Sequence, residues 1–251
     1  MSNLPSSASS GIQQAISVFV HGFCYTRSFT HPYLAEQVGP LWVMRDAPRR
    51  SGKYRNEEWV AHALPADEIA RLIRDQAGGA YTVSVICGLE EAQDPLRLGF
   101  KTLGYRLGSS EALMVHRLAH IPQFEAPAVI ARLQTAEQAV QLARANRSRP
   151  LSPEQFLPDS PLRQYMAVID DEVVGWVRSI TVGEAAWCAD MFVNPAFRRR
   201  GIARAMLSRM LTDDRLAGAQ IAVLLAGQAG AKLYPVAGYQ QIGTLLLFHP
   251  R

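Results

Sequence analysis

The feature that most constrains this chain is a change of hydrophobic period at Asn194–Pro195. The segment before it, Ala185–Val193, is mostly apolar and has the length of a strand. After it, apolar residues recur at the spacing of one helix face: Ala203, Met206, Leu207, Met210 and Leu211. The sequence therefore predicts a strand that leads within a few residues into an amphipathic helix.

Three arginines and a glycine, Arg198–Gly201, lie where this helix begins. The first amides of a helix have no intrahelical acceptor, and the helix dipole makes that end attractive to anions. Gly201 lets a ligand approach the backbone, and Ala203 is too small to obstruct it. The segment predicts a turn that holds a pyrophosphate. The alternative is an ordinary solvated helix start, which is the commoner explanation for an isolated run of arginines.

Two motifs in this half resemble a known family. Arg198-x-x-Gly201-x-Ala203 resembles the R/Q-x-x-G-x-G/A signature with which the GNAT acetyltransferase superfamily wraps the pyrophosphate of coenzyme A. Downstream, Leu233-Tyr234-x-x-x-Gly238-Tyr239 resembles the family's L-Y-x-x-x-G-F/Y segment, and a strand predicted at Gln220–Leu225 lies between the two. The resemblance covers roughly Val129 to Phe248, about half of the chain.

The resemblance implies an N-acyltransferase in which an amine attacks the thioester of acetyl-CoA directly, without a covalent enzyme intermediate. It implies that strand amides near Met191, Phe192 and Val193 hold the pantetheine, and that one of them polarises the thioester carbonyl. The pyrophosphate would be held by the helix start, comprising Arg198, Arg199, Arg200, Gly201, Ile202 and Ala203.

The resemblance also implies a catalytic role for Tyr234, whose hydroxyl would protonate the leaving thiolate. A phenol with a pKa of about 10 can serve, because the free thiol has a pKa of about 8.5. The alternative is that Tyr234 is a plain core aromatic.

The general base stays unassigned. Many relatives carry a glutamate on the fourth strand, where this chain has Ala189. Asp190, the next residue, and Glu184, in the turn before the strand, are candidates, and a solvated or hydrogen-bonding carboxylate is the favoured explanation for both. Gly227 is a second departure, because relatives often place an Asn or Ser there.

The N-terminal half resembles a degenerate copy of the same fold. Phe100-Lys-Thr-Leu-Gly104-Tyr105 repeats the pattern of Tyr234 to Tyr239, and similarly placed strands flank both segments. A chance coincidence is the alternative. The half has no convincing phosphate turn, since Tyr54 follows Arg49-Arg-Ser-Gly52 where a small residue is needed. We therefore expect one coenzyme A per chain.

The predicted organisation is a mobile leader at 1–10, a degenerate GNAT-like domain at 11–119, a linker at 120–127 and an acetyltransferase domain at 128–251. The predicted fold class is α/β, with two tandem GNAT-like units. Each would have a mixed, mainly antiparallel sheet flanked by helices.

The composition and charge of the chain indicate where the protein is located and which kinds of partner it binds. Apolar residues make up 48% and charged residues 19%, which is typical of globular proteins, and the net charge of +4 does not single out nucleic acid. Three distant cysteines argue against disulfides and a metal site. No basic residue precedes the apolar run Ala15–Phe23, which is too short to span a bilayer. We expect a cytoplasmic protein without membrane attachment.

Two other functions stay open from the sequence. One is a coenzyme A-binding regulatory module without turnover, in which Tyr234 is structural. The other is a nucleic-acid-binding protein that uses the basic hairpin Arg45–Arg55, although a solvated hairpin tip is the favoured explanation. The expected acceptor is a small-molecule or peptide amine, because fold does not fix substrate. The N-terminal half would cover the sheet, shape the acceptor pocket or build a homodimer surface.

Overall fold

The computed structural model describes residues 7–50 and 52–251. They form two compact units. The first unit contains the described residues up to Met114, together with Leu225–Gln228 and Gln241–Arg251. The second unit contains Val115–Leu224 and Ala229–Gln240.

Helices and strands follow one another in both units. In chain order they are α1 (Ser7–Arg27), β1 (Tyr33–Val38), β2 (Leu41–Asp46), β3 (Glu57–His62), α2 (Ala66–Gln76), β4 (Tyr81–Gly88), α3 (Gln93–Thr102), β5 (Tyr105–His116), β6 (Val129–Arg132), α4 (Ala136–Asn146), β7 (Leu162–Ile169), β8 (Glu172–Val182), β9 (Ala185–Val193), α5 (Ile202–Leu216), β10 (Ile221–Ala226) and β11 (Gln240–Pro250). Short 3-10 turns cover Pro153–Gln155, Pro195–Phe197 and Pro235–Ala237.

The first unit has the strand order β1-β2-β3-β4-β11-β5. Strands β1 to β3 form antiparallel neighbours, β3 and β4 are parallel, and β11 is antiparallel to β4. The hairpin predicted around residues 45–55 is confirmed by the pairing of β2 with β3, although Ser51 at its tip lies outside the described residues.

The last strand of the chain completes the first unit. Strand β11 pairs with β4 from Gly243 to Phe248, and the Phe248 ring stacks on the buried Phe100 ring at a centroid distance of 4.2 Å. An uncovered β4 would leave a row of unpaired backbone groups, which β11 satisfies. The sequence predicted a contiguous domain at 128–251, whereas the structure places Gln241–Arg251 with the N-terminal half.

The second unit has the strand order β10-β9-β8-β7-β6, with a helix on each face. A Cβ atom at Gly175 would lie 3.1 Å from the Met206 side chain of α5. The next residue, Trp176, packs in a buried cluster with Ala139 and Leu142 of α4. Since successive residues of a strand face opposite sides of a sheet, α4 and α5 cover opposite faces.

Helix α4 begins at a capping box on Thr135. The Thr135 hydroxyl accepts a hydrogen bond from the Gln138 amide at 3.3 Å, and the Gln138 side chain accepts one from the Thr135 amide at 3.2 Å. The two bonds satisfy donors that the first turn of a helix leaves free.

A buried ion pair anchors α5 to the sheet. The Arg163 Nη2 atom of β7 donates to Asp214 Oδ1 of α5 at 2.7 Å, and the Ser179 hydroxyl of β8 donates to the same oxygen at 2.7 Å. Burial raises the pKa of Asp214, which the Arg163 charge opposes. Removing one partner of such a pair is costly, so the pair fixes where α5 lies.

The predicted leader at 1–10 is only partly within the described residues. Residues 1–6 lie outside them, and Ser7 already begins α1, so residues 7–10 are helical. The apolar run Ala15–Phe23 forms the middle of this helix, with Ala15, Ile16 and Val20 buried. None of the described helices is long and apolar enough to cross a membrane.

We predict that Phe248→Ala destabilises the first unit by about 3–5 kcal/mol, because it leaves a cavity beside Phe100. Urea-induced unfolding measures this loss. Leu216→Ala, at a side chain that is 78% exposed, is the control and should change stability by about 0.5 kcal/mol or less. A loss below about 1 kcal/mol for Phe248→Ala would show that β11 contributes little to this core.

Candidate active site

The connection between β9 and α5 is a tight turn with left-handed backbone at Arg199 (φ +61°) and Gly201 (φ +83°). The Asn194 side chain accepts from the Ala196 amide at 3.2 Å, and the Arg198 Nε atom donates to the Val193 carbonyl at 2.9 Å. Helix α5 begins at Ile202, and the capping Gly201 offers its amides no side-chain acceptor. The strand, turn and helix predicted from the change of period are confirmed.

The charges around this turn are unbalanced. A cavity of about 400 Å³ beside it is lined by Arg198, Arg199, Arg204 and Lys232, and by no acidic residue. Among the described residues, no carboxylate pairs with any of these cations, whereas Arg163 pairs with Asp214. The first turn of α5 also has no acidic residue. Cations at the positive end of a helix dipole are unfavourable without an anion, so the arrangement suits a polyanionic ligand.

Aromatic rings hold three of the arginines in place. The Arg198 guanidinium lies 5.9 Å from the centroid of the Phe192 ring, and that of Arg200 lies 5.3 Å from the Phe197 ring. The Arg204 guanidinium lies 5.2 Å from the Phe124 ring. These contacts orient the side chains without neutralising their charge.

Strand β9 separates from β10 halfway along its length. The two strands pair in parallel only between Ala185–Trp187 and Ile221–Val223, although β9 continues to Val193. Its pairing with β8 shifts register at Asp190, whose φ of +57° marks a β-bulge. The β9 edge at Met191–Val193 is therefore not paired with β10, and such an edge can accept an extended ligand.

The structure brings the second predicted motif to the same cavity. Lys232, Leu233 and Val236 line it together with the β9–α5 turn. Tyr234 lies between Leu233 and the 3-10 turn at Pro235–Ala237 and is only 8% exposed. No described residue hydrogen-bonds its hydroxyl. Burial, followed by the nearby Cys188 thiol, raises the pKa of Tyr234, so the phenol keeps its proton at neutral pH.

Both candidate general bases already have a side-chain partner. Glu184 accepts a hydrogen bond from Gln220 Nε2 at 2.8 Å, and it lies seven residues before Met191, about 23 Å along an extended strand. Asp190, on the bulge, forms an ion pair with Arg178. Its position beside the open edge of β9 keeps it near the site, whereas Glu184 is too distant.

The segment 120–127, predicted as a linker, packs against the start of α5. A Cβ atom at Gly201 would lie 3.0 Å from the Glu125 carbonyl oxygen, and the Ser208 hydroxyl donates to the Pro122 carbonyl. Together with the Phe124 ring beneath Arg204, these contacts make the segment part of the site. The sequence of this segment, which has two prolines and little hydrophobic periodicity, does not indicate that it packs on α5.

The basic hairpin Arg45–Arg55 has few free cations. Arg49 and Arg55 both pair with the buried Asp46, and Arg45 pairs with Glu36. Burial alone would raise the pKa of Asp46, but hydrogen bonds from Arg55 and Arg49 lower it to about 2. These arginines stabilise the hairpin and are not available to phosphates.

Among the described residues, no cluster of His, Cys, Asp and Glu could hold a metal ion.

Comparison with known proteins agrees with this geometry. Residues 161–241, which include the β9–α5 turn and Tyr234, match the family model of the acetyltransferase (GNAT) domain. No curated protein matches the sequence at a significant level.

Solved structures share the fold across both units. A GCN5-related N-acetyltransferase from Kribbella flavida is similar with a TM-score of 0.64 and 16% identity, over 94% of this chain and 95% of that one. One from Sphaerobacter thermophilus gives 0.53 and 19%, over 83% and 76%. A tandem GNAT protein from the clavulanic acid biosynthesis pathway gives 0.51 and 12%, over 97% and 95%. The predicted fold class of two tandem GNAT-like units is confirmed.

We predict that Gly201→Val abolishes the thermal stabilisation by acetyl-CoA. A side chain at this left-handed position would meet the Glu125 carbonyl and distort the turn. In the unsubstituted protein, acetyl-CoA at 100 times its dissociation constant should stabilise the fold by about 2.7 kcal/mol. Differential scanning fluorimetry measures the shift.

The matched control is Gly218→Val, at the other end of α5. Its φ of +93° imposes similar backbone strain, and no neighbouring atom lies within 4 Å of a Cβ there. This variant should keep the full thermal shift. An unchanged thermal shift in a folded Gly201→Val variant would disprove binding of the acetyl-CoA phosphates at this turn.

Proposed function

We propose that the second unit is an acyl-CoA-dependent N-acyltransferase that transfers an acetyl group to an amine. The observation that carries the proposal is the cavity shared by unpaired cations at the α5 start and by the segment around Tyr234. The phosphates of coenzyme A supply the anion that this helix start lacks, and the tyrosine supplies a proton donor next to it. The GNAT match over 161–241 supports the same reaction.

The turn at Arg198–Ala203, called the phosphate turn below, would bind the cofactor through its backbone and its side chains together. Free amides at the start of α5 would donate to the pyrophosphate, and Arg198, Arg199 and Arg200 would add charge. The pantetheine would run along the open edge of β9, where amides at Met191–Val193 pair with it as a neighbouring strand would.

Transfer would then occur in one displacement. The amine nitrogen forms a bond to the thioester carbonyl carbon, and a β9 amide stabilises the oxyanion that develops. The carbon–sulfur bond breaks, and the sulfur takes the proton of the Tyr234 hydroxyl. The raised pKa of this phenol keeps the proton in place until the thiolate forms. The attacking amine loses its own proton to water, or to Asp190 if its ion pair with Arg178 opens.

Among its described residues, the first unit has no counterpart of this cationic helix start. Of its strand-to-helix connections, the one between β3 and α2 has Pro65 as the cap and Asp67 and Glu68 in the first turn, and α3, which follows β4, has Asp94 there. Carboxylates at this position repel phosphates. Phe100, which corresponds to Tyr234, is fully buried in the core and cannot donate a proton. The Arg49–Gly52 segment lies between two antiparallel strands and does not lead into a helix, in agreement with the absence of a convincing phosphate turn in its sequence.

Release of free thiol from acetyl-CoA tests the function directly. A panel of small-molecule and peptide amines should include at least one acceptor that accelerates release. The same assay separates an enzyme from a coenzyme A-binding regulatory module, because the latter would bind acetyl-CoA without consuming it with any amine.

We predict that Tyr234→Phe lowers kcat by roughly 10²–10⁴-fold and leaves the KM for acetyl-CoA nearly unchanged. The substitution removes one hydroxyl and keeps the ring contact with Tyr239. Tyr25→Phe, at a hydroxyl of the first unit, is the control and should keep full turnover. Turnover at the unsubstituted rate in Tyr234→Phe would make Tyr234 a structural residue.

A further inference from the structure

The position of Tyr234 is not fixed by regular secondary structure. Residues 228–234 form turns, with glycines at 227 and 230, and only the 3-10 turn at Pro235–Ala237 follows. Its hydroxyl bonds to no described residue. Ring packing must therefore orient the side chain, and the Tyr239 ring meets it edge-on at a centroid distance of 5.7 Å and an angle of 72°.

Tyr239 is in turn held by a histidine that the sequence motifs do not include. The His116 ring meets the Tyr239 ring edge-on at 5.3 Å and 68°, and both side chains are buried. The imidazole fills the space beside Gly238, where a Cβ atom would lie 2.6 Å from His116 Nε2. Gly238 is thus required both by its φ of +96° and by this packing.

The backbone fixes the imidazole itself. The Leu118 amide donates to His116 Nδ1 at 2.9 Å, so the ring proton lies on Nε2 and the side chain is neutral. Burial lowers the pKa of His116, in agreement with the neutral form. A continuous series of contacts therefore runs from the Leu118 amide through His116 and Tyr239 to Tyr234.

We propose that His116 is a positioning residue, which holds the Tyr234 hydroxyl at the leaving sulfur through Tyr239. The proposal rests on the acid role of Tyr234 given above. His116 itself touches neither cofactor nor acceptor. A displacement of a reacting group by about 1 Å can cost roughly 100-fold in rate, so a tilt of this stack would be measurable.

A double-mutant cycle between His116 and Tyr234 tests the proposal. His116→Phe keeps a ring against Tyr239 and removes the acceptor for the Leu118 amide. It should lower kcat by roughly 10- to 100-fold and leave the dissociation constant of acetyl-CoA within about twofold. In the Tyr234→Phe background, the same change should lower kcat by less than about twofold, because the hydroxyl to be positioned is gone. His116→Asn keeps an acceptor without the ring, and it replaces His116→Phe if that variant does not fold.

His21→Phe is the control, since this histidine is exposed and lies in the first unit, and it should change neither constant. Equal losses of kcat in the two Tyr234 backgrounds, or a weakened affinity for acetyl-CoA in His116→Phe, would overturn the positioning role. Full turnover in His116→Phe would overturn it as well. If Tyr234 is not the general acid, Tyr234→Phe alone keeps full turnover. This outcome distinguishes a failure of the acid role of Tyr234 from a failure of the positioning role of His116.

Discussion

The start of α5 is the constraint on which the rest of the second unit depends. Four cations line its cavity, no acidic residue occupies its first turn, and the described residues provide no carboxylate partner. Such a helix start is unfavourable in isolation. The fold compensates elsewhere, because the buried Arg163–Asp214 pair anchors the other end of the helix. Charge at one end and anchoring at the other make α5 an anchored helix whose start suits an anionic ligand.

Around this helix, the second unit gathers elements from distant parts of the sequence. Strand β9 leaves β10 after Trp187 and bends at Asp190, which exposes its edge beside the β9–α5 turn. The segment through Phe124 and Glu125 packs on the turn from outside. His116 and Tyr239 pack on Tyr234 from within. In the first unit, by contrast, acidic residues occupy the first turn of α2.

The sequence predicted those parts of the fold that depend on interactions within a few residues. The change of period at Asn194–Pro195 located the turn, because the hydrophobic period of a strand or a helix is visible within a few residues. Contacts between distant segments could not be predicted in this way. The pairing of β11 with β4 and the packing of Phe124 on Arg204 depend on tertiary structure, and no local pattern encodes them.

The most direct test of the central claim is a crystal structure of the intact chain with acetyl-CoA. The account predicts one ligand per chain, with its pyrophosphate on the amides around Gly201 and Ile202. Its pantetheine should lie along β9, and its sulfur within hydrogen-bond distance of the Tyr234 hydroxyl. A pyrophosphate bound away from the start of α5, or a second ligand in the first unit, would contradict the account.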